Sequence, residues 1–390
     1  MADSTMARFP VLAEEWNYQW GLVLKGIEQV WRATGDEKYF AYIQSNVDRF
    51  VQPDGTIRGY RRDEHNLDRL NTGKALFPLY EKTCDPKYKR ALDLLRSQFD
   101  THPRTPSGGF WHKQIYPNQM WLDGLYMGAA FWAEYTSVIA SEAKQSPINE
   151  LEIASSRDPS TSLRSAQDAL LAMTTWDDIA HQFALIEQHT RDEKTGLLYH
   201  AWDESKQMLW ANATTGRSPN VWARAMGWYA MALVDTLDHF PLKHTDRSAL
   251  IAILGRTLDA LASVQDAPSG GWYQIPDQGN RAGNYLESCA SCMFVYAMAK
   301  GARKKYVSED YARIAERALE GILTQFITTN SDGTINLTHT CQGAGLGGTP
   351  YRDGSFEYYI NEPVVTNNHH GTGAFILASA EVELQNLAKV

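Results

Sequence analysis

The sequence predicts an all-α protein folded as an (α/α)6 toroid, a closed ring of six helical hairpins. Three observations point there. A glycine-centred phrase keeps returning: PDGTIRGY from Pro53, PSGGFWH from Pro106, TGLLYHAWD from Thr195, PSGGWYQI from Pro268 and SDGTINL from Ser331. Stretches with helical periodicity lie between these phrases in pairs, a repeat of about 50–60 residues of the kind that stacks each unit on its neighbours. The two ends also complete one another, because the last helix has no later partner and the short segment MADSTMAR has no earlier one. A ring closed in this way has six inner helices, six outer helices and the glycine phrases at one rim.

Taken in order, Glu15 to Ala33 and Asp36 to Val51 carry the first pair of apolar faces, split by TGD. Asp68 to Lys82 and Pro86 to Asp100 form the second pair. Pro86 suits the first helical position, where its missing N–H would have no partner anyway. Gln119 to Ile139 with Trp176 to Thr190 is the third pair, and Asn220 to Phe240 with Ser248 to Gln265 the fourth. Tyr285 to Arg303 and Glu309 to Ile327 make the fifth, and His370 to Leu387 is the unpartnered last helix. The first helix of each pair is the more apolar and glycine-rich, as an inner helix must be. Ser141 to Ser165 breaks the pattern with Ser, Pro and charge and no apolar period, so a flexible surface insertion is expected there, within one domain spanning 1–390.

Composition removes several function classes. With 43% hydrophobic and 21% charged residues, the 390-residue chain has the make-up of a globular protein with a substantial core. A formal net charge of -9 argues against a nucleic-acid partner, which needs a basic face. A small acidic substrate needs only two or three local cations and is not excluded. No apolar run approaches the roughly 20 residues of a membrane span. The opening MADSTMARFPVLAEEW lacks the apolar core of a signal peptide. Of four cysteines only Cys289 and Cys292 are close, on a helical run with no second pair or histidine cluster, so small buried residues are the expected role. These features favour a cytoplasmic setting, although a removed leader would leave the same sequence. No metal and no cofactor are expected, and the chain reads as a monomer or weak homo-oligomer.

The chemistry concentrates in His112 to Gly128, HKQIYPNQMWLDGLYMG, which places one acid, Asp123, among Trp121, Leu122, Leu125, Tyr126 and Met127. Desolvation raises a carboxylate's pKa, and a general acid working near neutrality needs that rise. A buried Asp that caps its helix or pairs with an arginine would look the same. In a helix, Gly124 and Gly128 would lie one turn apart and admit another helix or a flat ligand. Arg224 and Trp228, in SPNVWARAMGWYAMAL, are also one turn apart with Gly227 between them. A planar guanidinium beside an indole suits a carboxylated sugar, and equally a cation–π pair closing a helix interface. Asp68 could simply cap its helix. His200 lies in a rim loop, where an imidazole has more reason to be functional than in a core. His369 and His370 are adjacent and cannot share one helical metal face.

These motifs carry a resemblance. HKQIYPNQMWLDGLYMGAAFWAEY, with NLDRLNTGKAL upstream and GLLYHAWDESK and VWARAMGWY downstream, resembles the unsaturated rhamnogalacturonyl hydrolases, glycoside hydrolase family 105. YLESCASCMFVYAMAKG and INEPVVTNNHHGTGAFILASAEVE resemble the same family, so that the likeness covers the chain apart from the insertion. The resemblance implies an (α/α)6 barrel that hydrolyses unsaturated uronyl disaccharides released by lyases. It implies Asp123 as catalytic acid and base, and Asp68 as a second essential carboxylate. Lys113, His200, Trp222, Arg224 and Trp228 would bind substrate, Arg224 near the uronate carboxylate, with Tyr18 joining the pocket. Three alternatives stand beside this reading: an unsaturated glucuronyl hydrolase, an inverting glycosidase using Asp68 and Asp123 as acid and base, and a non-catalytic sugar binder. Two acids in apolar settings argue against the binder, which has no reason to desolvate them.

Overall fold

The computed structural model describes residues 1–145 and 159–387. Its helices run in order as α1 (Ala2–Arg8), α2 (Tyr18–Thr34), α3 (Glu37–Val47), α4 (Asp68–Asn71), α5 (Leu76–Thr83), α6 (Pro86–Arg96), α7 (Leu122–Gly124), α8 (Ala130–Gln145), α9 (Pro159–Thr190), α10 (Ala223–His239), α11 (Arg247–Ser263), α12 (Ser288–Arg303), α13 (Asp310–Phe326), α14 (Phe356–Asn361) and α15 (His369–Leu387). Among the described residues, six helical runs form an inner ring: α2, then α4 with α5, then α7 with α8, then α10, α12 and α15, which returns to α2. Outside it, α3, α6, α9, α11 and α13 each pack on the inner run they are paired with. This is the (α/α)6 barrel expected from the repeat. Two of its inner helices bury nearly every residue, α10 from Ala223 to Leu237 and α12 from Ser288 to Ala302, which is why their apolar faces run all the way round.

Local chemistry sets the helix ends. The Asn17 side chain accepts from the Gln19 amide at the start of α2, and Asp85 caps α6 with Pro86 in the first turn, as expected. Each glycine phrase closes a short turn spanning four or five residues. At PSGGFWH the amide of the preceding Thr105 donates to the Gly109 carbonyl at 2.7 Å, and at PSGGWYQI the amide of Asp266, two residues before the phrase, donates to the Gly271 carbonyl at 2.9 Å. Gly108 and Gly270 sit at φ 91° and 72°, a backbone region that side chains other than glycine's resist. Each phrase leads from an outer helix back to an inner one, so the turns gather around the N-terminal ends of the inner ring.

Two expectations about single elements need correction. The stretch from Asp68 to Lys82 is not one helix, because a 3-10 turn at Thr72–Ala75 separates α4 from α5. There Thr72 donates its hydroxyl to the Asn17 carbonyl, and α2 approaches so closely that a Cβ on Gly21 would lie 2.7 Å from the Thr72 Cα. Gln119 to Ile139 opens as a strand, β1 (Gln119–Trp121), paired antiparallel with β2 (Ala201–Asp203), and passes through a π-helical turn at Leu125–Ala129 before α8. The expected insertion at 141–165 is helical up to Gln145 and again from Pro159, consistent with strong helix formers such as Glu142, Ala143 and Lys144. Its middle, 146–158, lies outside the described residues.

The ring closes where the first and last inner helices meet. A Cβ on Gly373 of α15 would stand 2.8 Å from the backbone of Leu22 and Val23, and one on Gly26 would stand 3.0 Å from Ile376. The short α1 does not run beside α15. It hooks the chain start onto a hairpin of β3 (Ile327–Thr329) and β4 (Ile335–Leu337), with Arg8 donating to the Asn336 side chain at 2.9 Å. No helix among the described residues is long and apolar enough to cross a membrane.

Candidate active site

Most of the acid, base and aromatic groups singled out from the sequence lie at the N-terminal ends of inner helices, with Trp228 one turn further along α10. Tyr18 opens α2, Asp68 opens α4, Asp123 is the second residue of α7, and Trp222 precedes Arg224 at the start of α10. His370 stands at the start of α15 and Glu287 caps α12, its side chain accepting from the Ala290 amide. Converging helix N-termini present unpaired N–H groups and a positive dipole end, a setting that favours bound anions.

Backbone pairing then delivers the loop residues. Asn66 bridges Lys113 antiparallel, and the Leu67 amide donates to the His112 carbonyl at 3.2 Å, so His112 and Lys113 run alongside Asp68. Lys113 Nζ lies 2.5 Å and His112 Nε2 3.2 Å from the Asp68 carboxylate. Burial opposes a charge on Asp68, but the Lys113 ammonium and His112 outweigh it and hold the carboxyl well below the usual range. The capping role considered for Asp68 is not the one it plays, since its side chain caps nothing and is committed to these two cations.

The β1–β2 ladder does the same for the second acid. Trp121 pairs with Ala201, and one residue on, the Leu122 amide donates to the His200 carbonyl at 3.1 Å. His200 Nε2 consequently lies 3.1 Å from Asp123 Oδ2, although off the axis of a good hydrogen bond, which leaves both atoms buried without a formed partner. On its far side His200 Nδ1 is 2.7 Å from the Tyr359 hydroxyl. Trp222 tilts over His200 with ring centroids 4.8 Å apart and stacks on Tyr359 at 5.9 Å. The Trp222 indole N–H is buried and unpartnered among the described residues, as is His112 Nδ1. Unsatisfied buried polar atoms occur elsewhere in the protein too, but those of Asp123 and His200 face each other, where a polar ligand would complete the network.

Arg224 and Trp228 sit deeper than the sequence suggested. Arg224 is 1% exposed, donates to Glu287 Oε1 and the Cys341 carbonyl at 2.6 Å each, and faces His370 Nδ1 at 3.3 Å. Its charge is therefore already matched inside the protein. Trp228, also 1% exposed, is a floor packed under Tyr126, Tyr18 and His370 rather than an open platform. The gap at Gly227 is taken by Met293 of α12, where a Cβ would meet the sulfur at 2.6 Å. Likewise the space at Gly124 and Gly128 admits Leu67, 3.1 and 3.0 Å from the two imagined Cβ atoms. Tyr18 lies against His370 at 5.1 Å, and its phenol is held un-ionised by burial and by the charges of Asp68 and Asp123. Burial, then Arg224, pushes the His370 imidazole well below its ordinary value, so it is neutral.

Sequence reasoning missed His112, Tyr359, His370 and Glu287 as site residues. His112 was legible, since it adjoins Lys113 in the same stretch. Tyr359 was not, because it is brought in from α14, 159 positions after His200. A different cluster, Asp177, His244 and Asp246, brings ligand-type atoms within 4.8 Å of one another, but at the C-terminal end of α10, away from this site.

The model of Glycosyl Hydrolase Family 88 matches residues 1–150 and 167–385. A solved glycoside hydrolase from family 105 of C. acetobutylicum ATCC 824 is 47% identical, with 98% of each chain covered and a TM-score of 0.88. The unsaturated rhamnogalacturonyl hydrolase YesR of Bacillus subtilis strain 168 is 25% identical over 313 residues, 78% of this chain and 77% of that protein. An unsaturated glucuronyl hydrolase from Bacillus sp. GL1 shares the fold at a TM-score of 0.65 and 11% identity, covering 98% of this chain and 93% of that one. A family model matched along nearly the whole chain, and a family 105 structure alike from end to end, show that the chain is a glycosidase belonging to the family 88 and 105 glycoside hydrolases.

Proposed function

We propose that the protein removes a 4,5-unsaturated uronic acid from lyase-generated oligosaccharides, with unsaturated galacturonyl-rhamnose from rhamnogalacturonan as its substrate. The observation that carries this reading is the contrast between two neighbouring acids. Asp68 is fixed as a carboxylate between Lys113 and His112, while among the described residues Asp123 is paired with no lysine or arginine and has only His200 beside it. One acid has its charge held by a lysine and the other does not, and this difference in surroundings assigns the proton-carrying role to Asp123. The similarity to YesR supports the choice of rhamnogalacturonyl substrate.

An unsaturated uronate contains an enol ether, whose nucleophilic carbon is C4. Asp123 donates a proton to C4, and the positive charge that develops is shared by C5 and the ring oxygen. Water adds to C5 as Asp123 takes back a proton from it, so one group serves as acid and then base. The resulting hemiketal opens to the 5-keto form, and the hemiacetal left at C1 releases the second sugar. Asp68, with its charge fixed, orients the ring and stabilises the developing cation. Lys113 keeps 21% of its side chain exposed and, with the helix N-termini, offers the substrate carboxylate an accessible cation. Arg224, enclosed with Glu287, supports the wall of the site through His370.

The test follows the ultraviolet absorbance of the conjugated enol ether with unsaturated rhamnogalacturonan disaccharide, beside unsaturated glucuronyl and saturated analogues. Loss of absorbance with release of free rhamnose is expected. Preference for the glucuronyl disaccharide would move the substrate class, and cleavage of the saturated analogue would replace hydration by ordinary glycoside hydrolysis. Asp123→Asn should lower kcat by about 10²–10⁴-fold without loss of fold, the usual contribution of a general acid.

A further inference from the structure

Tyr359 has no part in the reaction as written, yet its place in the site is tightly defined. Its side chain is fully buried, and among the described residues the hydroxyl's one hydrogen-bond partner is His200 Nδ1 at 2.7 Å. The other ring nitrogen, Nε2, faces Asp123 Oδ2 at 3.1 Å. The three groups form a line from α14 through the residue before β2 to α7. A neutral imidazole carries its hydrogen on only one nitrogen, and which one is set by the partner on the other.

The phenol decides the matter. Were Nδ1 to carry the hydrogen, it would donate to the phenol oxygen and leave the phenolic hydrogen enclosed without an acceptor. Were the phenol to donate to Nδ1 instead, every hydrogen in the line would be used, and Nε2–H would point at Asp123. Oδ2 is the enclosed oxygen of that carboxyl, while the side chain as a whole keeps 13% of its surface. Resting geometry at Nε2 is off axis, as is common in sites that tighten only around a ligand.

We propose that Tyr359 is a positioning residue acting through His200: its phenol donates to Nδ1, fixes the Nε2–H tautomer, and thereby confines the transferable proton of Asp123 to Oδ1. An oxygen that accepts from Nε2–H cannot also carry a hydrogen toward the same nitrogen. Oδ1 is left as the oxygen that meets the substrate carbon, and the proton cannot retreat into the imidazole between turnovers. The inference rests on Asp123 being the acid in the reaction proposed above.

Two measurements test it. In protein labelled with nitrogen-15 at histidine, His200 should show a protonated Nε2 and an unprotonated, hydrogen-bonded Nδ1, its signals identified by their absence in His200→Gln. Tyr359→Phe should give a mixture of tautomers. In kinetics, Tyr359→Phe should lower kcat about tenfold, the effect of one lost hydrogen bond, with little change in KM. The alkaline limb of kcat against pH should move to higher pH, because the carboxylate form of Asp123 loses a fixed donor. Tyr358, Asp123, Arg352 and Asp353 are the charged and titratable groups acting on Tyr359, and the substitution leaves all four in place. In a His200→Gln background, whose amide supplies the Nε2 donor without help, Tyr359→Phe should cost nothing further.

A wild-type spectrum with hydrogen on Nδ1, or a Tyr359→Phe enzyme with unchanged kcat and limb, would overturn the proposal. The spectrum needs no substrate. It decides the tautomer even if the wild-type protein consumed no unsaturated uronide, a result that would sink the functional reading instead.

Discussion

Asp68 and Asp123 carry the same side chain, and their different roles come from what stands around each. Lys113 is the principal cation holding Asp68 ionised, so Lys113→Met tests the fixed charge directly. A carboxyl whose folded pKa is depressed adds stability above its unfolded pKa, about 4, and gives it up as pH falls toward the folded value. Urea unfolding at pH 7 should show Lys113→Met about 2 kcal/mol less stable than wild type, and the difference should shrink below about pH 4. Equal destabilisation at pH 7 and pH 3 would show that Asp68 does not depend on that charge. The carboxylates were legible in the sequence because an acid inside an apolar or capping pattern is conspicuous. Their partners were harder to see. Nothing local marks His200 as the neighbour of Asp123, since a strand register sets that contact. Arg224 looked like a receptor for a carboxylate because its partner, Glu287, lies 63 positions away.

At the scale of elements, Asp123 lies between the end of β1 at Trp121 and a π-helical turn that begins two residues later, at Leu125–Ala129. Such turns occur as single insertions in helices, often at functional sites. The turn is held by Leu67, which fills the space left by Gly124 and Gly128 and is the residue just before Asp68. One side chain thus sets the distance between the two acid-bearing segments. Gly128→Ala places a methyl 3.0 Å from Leu67 Cδ2 and should cost about 1–3 kcal/mol by overpacking, read in chemical denaturation. The shorter side chain of Leu67→Val should recover part of that loss and of the accompanying fall in kcat. If Leu67→Val adds to the damage instead, Leu67 is not the contact that matters. Helical periodicity located this run but could not find its first three residues to be a strand. A three-residue strand carries no usable period, and Gln119–Met120–Trp121 is buried throughout.

For the whole molecule, the repeat of glycine phrases was enough to foresee a ring, because each helical pair needs neighbours on both sides. What the pattern could not supply was how the ring shuts. Closure uses backbone contact between α2 and α15, made possible by Gly26 and Gly373. Gly373→Ala must push the Leu22 and Val23 backbone aside, and backbone gives way less readily than a side chain. The expected result is a loss of about 1–3 kcal/mol in denaturation together with a fall in activity, since His370 sits three residues earlier on the same helix. Full activity in a destabilised Gly373→Ala protein would show that closure and catalysis are independent.

That closure also orders events during synthesis. Tyr18 opens the first inner helix of the ring and is made well before His370, which opens the last one and whose ring it meets at 5.1 Å. Domains begin to fold as they emerge, N-terminal portions first. The hairpins up to α13 can stack as they leave the ribosome, but the ring stays open between α12 and α2 until α15 arrives. The nascent chain therefore holds a partly built ring with one unsealed seam, and catalytic competence comes in a single late step rather than growing with chain length.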